Sequence, residues 1–151
     1  MWLNQLKENI VNDCCERKII KSDKVPQPIA PYSLGVKACH FIFVSGQLGL
    51  IPQSGSMIEG GIKEQTRQAL VNIKNILESA QSGLSNIVKT TVFLKDLKDF
   101  ASLNEVYAEF FNQDPPARSA IQVAGLPKDG LVEIEVVAIV NDKCSCGEKD
   151  Q

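Results

Sequence analysis

The segment Leu131–Val140 limits the choice of fold more than any other part of the chain. Its second face starts with Glu133 and Glu135 and then becomes apolar at Val137 and Ile139. Successive side chains of a strand point to opposite faces, so the segment predicts a strand with one wholly apolar core face and one mixed face. A mixed face of this kind predicts a surface covered by another subunit, with a polar pocket at one end. The predicted core face consists of Val132, Ile134, Val136, Ala138 and Val140.

Other segments have the composition of strands, being rich in aromatic or β-branched residues and bounded by turn residues. They are His40–Ser45, Ile87–Leu94, Arg118–Val123 and, as a short edge strand, Lys18–Lys21. Val25–Pro31 is expected to be an extended loop, because its prolines lack the N–H group that a central ladder needs.

Two segments follow the helical period instead. A helix is predicted over Ile62–Ala80, and Gly83 is expected to mark its end. A second helix is capped by Asp96 or Asp99 and carries an apolar stripe formed by Phe100, Leu103, Val106, Tyr107 and Phe110. The order of elements predicts an α+β fold with both helices on one face of a mixed sheet.

The charge pattern and the chain ends restrict the class of protein. Among 151 residues the net charge is −2, and lysines alternate with acidic residues, so binding to nucleic acid is not expected. No apolar run approaches the ~18–20 residues that cross a bilayer, so no membrane association is expected. Residues 1–17 are interpreted as an N-terminal extension, 18–141 as one domain and 142–151 as a tail. Acidic residues in the extension argue against a mitochondrial presequence, so a cytoplasmic location is expected, with a mitochondrial one left open.

The cysteines do not form the pattern of a secreted disulfide framework, because their number is odd and four of them crowd the two ends. A reducing compartment fits this better. A metal site would have to combine the terminal cysteines with His40, the only histidine, and the spacing does not match that of zinc sites. No metal is therefore expected, and the thiols are interpreted as free: Cys14, Cys15, Cys39, Cys144 and Cys146.

The C-terminal part of the chain resembles a known family. Pro115–Val140 is similar to the signature of the RidA/YjgF family, since it combines Pro-x-Arg, a Leu-Pro-Lys turn and Glu-x-Glu in the same order. Shorter motifs extend the similarity over residues 24 to 140: Ala30–Ser33 (APYS), Phe43–Gln47 (FVSGQ), Gln65–Leu70 (QTRQAL), Val88–Phe100 (VKTTVFLKDLKDF) and Asn104–Phe111 (NEVYAEFF).

This resemblance implies a homotrimer of chorismate-mutase-like fold with one site at each subunit interface. It implies a deaminase that hydrolyses 2-aminoacrylate and 2-aminocrotonate, or their imine tautomers, to 2-keto acids and ammonia. Such enamines escape from pyridoxal-phosphate enzymes such as threonine and serine dehydratases. No metal or organic cofactor is implied.

Two charged residues carry the implied chemistry. Arg118 corresponds to the family's substrate-binding arginine, whose planar guanidinium can hold a carboxylate through two parallel hydrogen bonds. The alternative is an ion pair within the chain, for instance with Asp114. Glu133 corresponds to the site carboxylate, which could activate the attacking water or pass a proton to the departing amine. The alternative is a strand glutamate facing solvent, an interpretation that suits Glu135 better.

Four further residues match the family's pocket. Tyr32 is expected to hydrogen-bond substrate or water and to close off solvent, acting with Arg118 and Glu133 in catalysis. Ser45 and Gly46 are expected to line the pocket, with the glycine allowing close backbone approach. Asn104 is expected near the substrate or, alternatively, as a simple surface residue.

The chain also departs from the family at three positions. Ala120 stands where many relatives have cysteine, and its carbonyl is still expected to orient water. Ala30 replaces a glycine in the Tyr32 loop, and Leu34 replaces a common glutamine. These changes bear on specificity more than on activity.

Two other functions stay open on the sequence alone. One is a non-catalytic module that binds keto acids in the same pocket. The other is an endoribonuclease or translation inhibitor, against which the acidic balance and the lack of a basic stripe argue.

Overall fold

The computed structural model describes residues 16–140, so the predicted tail and nearly all of the predicted extension, with four of the cysteines, lie outside it. Cys39 is a free thiol. Residues 16–140 contain six strands and two α-helices: β1 Arg17–Ile20, β2 Gly35–Ala38, β3 Phe41–Leu48, α1 Ile62–Ser79, β4 Ile87–Leu94, α2 Phe100–Phe110, β5 Ala117–Gln122 and β6 Val132–Ile139.

The strands form one mixed sheet in the order β1-β2-β3-β6-β4-β5. Only the β4–β5 pair is parallel, and the chain crosses over through α2 between these two strands. The α+β prediction is confirmed. Strand β2 was not predicted; it turns into β3 through Cys39, whose φ of 53° lies in the left-handed region.

The helix ends follow from local hydrogen bonds. The Glu64 carboxylate accepts the Gly61 N–H at 2.8 Å and so satisfies a backbone donor at the start of α1. The helix ends before Gly83: Gln81 takes the left-handed conformation that ends it, and Gly83 is extended. Of the two candidate caps before α2, the Asp96 side chain accepts the Lys98 N–H, and Asp99 makes no such bond.

The hydrophobic core lies between the sheet and the two helices. The predicted core face of β6 is confirmed from Val132 to Ala138, where all four side chains are at most 3% exposed. In α1 the apolar residues Ala69, Leu70, Ile73, Ile76 and Leu77 are also buried. The stripe of α2 is narrower than predicted, since Phe100 is 37% exposed. Each fully buried aliphatic side chain here contributes about 1.5–3 kcal/mol.

The other face of the sheet is open and carries large apolar side chains. Strand register places Phe43 beside Val137 and Phe41 beside Ile139, and it places Phe93 beside Ile121 on the other side of a polar row formed by Glu135, Thr91 and Ser119. Phe41, Phe43, Ile121 and Ile139 are each 40–48% exposed. An exposed apolar surface of this kind marks an interaction site.

None of the helices within residues 16–140 is both long enough and apolar enough to cross a membrane.

Candidate functional site

A cavity of 780 Å³ opens on the polar end of the open face, where β3 ends and β6 begins. Tyr32, Ser45, Gly46 and Glu133 line it, and we call these four residues the glutamate pocket. Sequence comparison alone predicted each of them, and the fold brings them together. The cavity walls are otherwise largely apolar, formed by residues such as Pro26, Ile29, Leu48 and Leu50.

A β-bulge shapes one wall of the glutamate pocket. The pairing of β3 with β6 shifts register between Val44 and Gln47, which leaves Ser45 and Gly46 outside the regular ladder. The Ser45 hydroxyl donates to the Ser33 carbonyl at 2.7 Å, and its N–H donates to the Leu34 carbonyl at 3.0 Å. Ser45 therefore tethers the loop that carries Tyr32, and its hydroxyl proton is already used for that purpose.

Gly46 is where the pocket needs a residue without a side chain. A Cβ atom at this position would lie 1.9 Å from Oε1 of Glu133. The Glu133 carboxylate thus occupies the space above the Gly46 Cα. Any larger residue at position 46 would force the carboxylate elsewhere.

The Glu133 carboxylate is half-buried and has no hydrogen-bond or ion-pair partner within residues 16–140. Burial raises its pKa, and the like charge of Glu135 two positions along the strand raises it further. A carboxylate with free oxygens and a raised pKa is suited to exchange protons with a bound water or amine.

Tyr32 lies at the mouth of the pocket and is 51% exposed. Its N–H donates to the Ala30 carbonyl at 2.8 Å, which closes a tight turn. Ala30 has a negative φ, so alanine at this position brings no backbone strain. Leu34, the third departure from the family pattern, is buried in the core.

Two buried polar side chains of α1 hold the pocket walls, and sequence analysis did not single them out. Asn72 donates through Nδ2 to the carbonyls of Leu48 and Leu50 at 3.3 and 3.0 Å. Gln65 accepts the Leu131 N–H through Oε1 at 2.8 Å. The signal that could have revealed them is their spacing of seven residues, which puts two amides on the apolar face of the helix.

Lys128 lies at the outer rim of the same cavity. Its ammonium donates to the Gly55 carbonyl at 2.6 Å, which joins the turn before β6 to the loop after β3. Lys128 is therefore a second cation that a bound carboxylate could reach.

The other predicted site residues lie at the far edge of the sheet. Arg118 and Ala120 belong to edge strand β5, and Asn104 belongs to α2 between Phe100 and Tyr107. The Arg118 guanidinium carbon lies 4.5 Å from the Tyr107 ring centroid and 5.4 Å from that of Phe100. We call these five residues the arginine edge. The alternative ion pair of Arg118 with Asp114 is not found in the described part of the chain.

Arg118 and Glu133 do not meet within one chain. Arg118 is in register with Thr90 of β4, whose side chain is buried on the helix side, and Glu133 is in register with Phe93. Positions three apart on a strand face opposite ways, so the two charged side chains lie on opposite faces of the sheet. Their backbones are also two strands apart, at about 4.8 Å per strand, and they are offset by about 10 Å along the strand direction.

No cluster of three or more His, Cys, Asp or Glu side chains that could hold a metal ion occurs between residues 16 and 140.

Comparison with known proteins gives close relatives over the whole described region. The family model described as Endoribonuclease L-PSP matches residues 22–140. A RutC family protein of Pyrococcus horikoshii is 50% identical over 81% of this chain and 97% of its own length. The 2-iminobutanoate/2-iminopropanoate deaminase of Bos taurus is 49% identical over 82% of this chain and 90% of its own. The crystal structure of E. coli TdcF with bound serine is 42% identical and superposes with a TM-score of 0.78, covering 81% of this chain and 98% of that one.

Proposed function

The chain belongs to the RidA/YjgF/L-PSP family, and on that premise we propose that it is a deaminase of reactive 2-imino acids. Its substrates are 2-aminoacrylate and 2-aminocrotonate, or the imines 2-iminopropanoate and 2-iminobutanoate, and its products are 2-keto acids and ammonia. The observation that carries the proposal is the Glu133 carboxylate, which lies over Gly46 in a cavity with both oxygens free of protein donors.

The proposed chemistry needs an anchor and a proton carrier. Arg118 binds the substrate carboxylate through two parallel hydrogen bonds and so fixes the imine carbon. Glu133 takes a proton from water as the water adds to that carbon, and passes it to the nitrogen of the resulting carbinolamine. The C–N bond then breaks to release ammonia, while the hydroxyl group loses its proton and becomes the keto group. Because the imine already reacts slowly with water, placing the reactants correctly supplies much of the acceleration.

The anchor and the carboxylate come from two chains in this proposal. The glutamate pocket and the arginine edge lie on opposite faces of the sheet, so one chain contributes one half of each site. An interface that joins unlike surfaces generates a closed ring when the rotation closes, and we propose a homotrimer with three equivalent seams. The exposed apolar residues of the open face support this assembly.

The test is to generate 2-aminoacrylate with a dehydratase and to follow its lifetime and the release of ammonia. Arg118→Ala is expected to lower kcat/KM about a hundredfold, since a charge-assisted anchor contributes roughly 3 kcal/mol. Glu133→Gln is expected to have a similar effect while the fold is kept.

The matched control is Arg67→Ala. Arg67 pairs with Glu109 on the exposed faces of the two helices, away from the cavity, and such surface pairs contribute little. Full activity of Arg118→Ala together with loss of activity in Lys128→Ala would move the anchor to the rim of the cavity and contradict the two-chain site. Binding of 2-oxobutanoate without any turnover would instead support a keto-acid-binding module.

A further inference from the structure

At the arginine edge two aromatic rings contact the Arg118 guanidinium, and the chemistry proposed above does not itself require these contacts. Phe100 and Tyr107 are seven residues apart, which is close to two helical turns, so their rings project from one side of α2. Arg118 lies over both rings, at 5.4 Å from Phe100 and 4.5 Å from Tyr107. A guanidinium within about 6 Å of an aromatic centroid is attracted by the negative face of the ring.

Tyr107 is the fixed member of the pair. It is 6% exposed, and its hydroxyl lies 2.8 Å from the buried Thr90 hydroxyl. Its ring also packs against Phe111, with centroids 4.5 Å apart. Thr90 is the residue of β4 that pairs with Arg118 in the sheet, so the strand that fixes the ring also fixes the backbone of the arginine.

The ring contacts leave the hydrogen-bonding capacity of Arg118 unused. Its five N–H donors lie in the plane of the guanidinium and point outward from its edge, and none of them bonds to a protein acceptor within residues 16–140. No carboxylate within residues 16–140 forms an ion pair with Arg118. Burial raises the pKa of Tyr107, so this phenol stays neutral beside the cation.

We propose that Phe100 and Tyr107 are positioning residues that hold the Arg118 guanidinium in one plane and so aim its donor edge at the substrate carboxylate. This inference rests on the proposed function, because it assigns a role to two residues that act through the anchor of that site. It also predicts that lysine would not replace arginine here, because an ammonium has no plane for the rings to orient.

The test uses Phe100, because its side chain is partly exposed and its replacement leaves the core intact. Phe100→Leu is expected to raise KM for 2-aminoacrylate about fivefold with a much smaller change in kcat, since the carboxylate is held in both the ground state and the transition state. Phe100→Trp keeps an aromatic face and is expected to restore the wild-type KM.

A double-mutant cycle separates positioning from general stability. In the Arg118→Ala background, Phe100→Leu is expected to have no further effect on kcat/KM, because the group that it positions is gone. An equal effect in both backgrounds would overturn the proposal. If Arg118→Ala keeps full activity, the anchor itself is wrong and the proposed site fails with it. If Arg118→Ala loses activity while the KM of Phe100→Leu equals that of wild type, the positioning role is refuted and the anchor role of Arg118 stands.

A spectroscopic measurement checks the same point without turnover. The side-chain Nε–H resonance of Arg118 in the intact protein is expected to be displaced by the ring currents of Phe100 and Tyr107. Phe100→Leu should move it toward the position of the other arginines, and Phe100→Trp should not. A resonance that is the same in wild type and Phe100→Leu would contradict the stacking.

Discussion

The glutamate pocket and the arginine edge reach their functions by different means. The pocket is concave and is shaped by backbone: a β-bulge, a glycine without a Cβ and a loop tethered through Ser45. The arginine edge is defined by side chains, since Arg118 lies against two aromatic rings of a helix. The pocket supplies shape and a proton carrier, and the edge supplies a positive charge. The difference shows that one chain presents two surfaces of unlike shape and charge. In the proposed assembly, the pocket of one chain and the arginine edge of another complete one site.

The largest expected effect comes from a substitution that changes the glutamate pocket and leaves the arginine edge unaltered. In Gly46→Ala the new Cβ must displace the Glu133 carboxylate, and a misplacement of about 1 Å can cost on the order of a hundredfold in rate. The clash is with the far end of a flexible side chain, so the melting temperature should fall by no more than a few degrees, as for a change of about 1 kcal/mol. The measurement is kcat/KM with a thermal melt.

The control for this variant is Gly83→Ala, because a Cβ at Gly83 meets nothing within 4 Å and its backbone is extended. Near-normal activity in Gly46→Ala would show that the exact place of the carboxylate does not matter.

The next effect tests whether the two halves come from different chains. Arg118→Ala and Glu133→Gln subunits are each nearly inactive in the proposal, but mixed rings contain seams with both intact residues. A mixed trimer of either composition has one intact seam in three, so purified mixed rings should be roughly 30-fold more active than either variant alone.

The assay is co-refolding of two differently tagged variants, followed by purification of mixed rings and measurement of ammonia release. As a control, either single variant mixed with the double variant Arg118→Ala/Glu133→Gln should gain nothing. A mixture that gains no activity would place both residues in the site of one chain.

The smallest effect concerns the pH profile of the pocket. Glu133 acts as a base in its ionised form, so activity falls as pH drops through its pKa, and burial puts this fall at a higher pH than for an ordinary glutamate. Glu135→Gln removes a like charge, lowers the pKa of Glu133 and should move the acidic limb of kcat/KM to lower pH. The shift should be small, since burial is the larger cause.

High salt should largely remove the difference between Glu135→Gln and wild type, because Glu135 is exposed and its charge is screened. A limb that moves to higher pH in this variant would contradict the assigned base.

Much of the fold could be predicted from periodicity because burial alternates regularly along β6 and along α1. Strand β2 was missed because Gly35 and Lys37 give a four-residue strand no apolar pattern. The bulge at Ser45 and Gly46 was also out of reach, since it depends on how β3 pairs with a strand that lies about ninety residues later.

The residues of the candidate site were named from the family resemblance alone, and their division between two faces of the sheet could not be predicted. Resemblance supplied Arg118 and Glu133, and each lies on a strand that pairs with β4. Whether they share a face depends on which residue of β4 each one pairs with: Arg118 pairs with Thr90, and Glu133 pairs with Phe93. The local sequence does not determine either pairing. The same holds for Tyr107, which contacts Arg118 only because the parallel crossover brings α2 over β5.

The hydrogen bonds of the Gln65 and Asn72 side chains affect how the protein unfolds. They bond the cavity walls to the helix that fills the core, so the pocket cannot open locally without breaking buried hydrogen bonds of α1. Amide protons such as that of Leu131 should then exchange with solvent only through global unfolding, as in a single cooperative unit. On heating, the cavity and the core should be lost in a single transition, without an intermediate in which the sheet and helices are folded and the site is not.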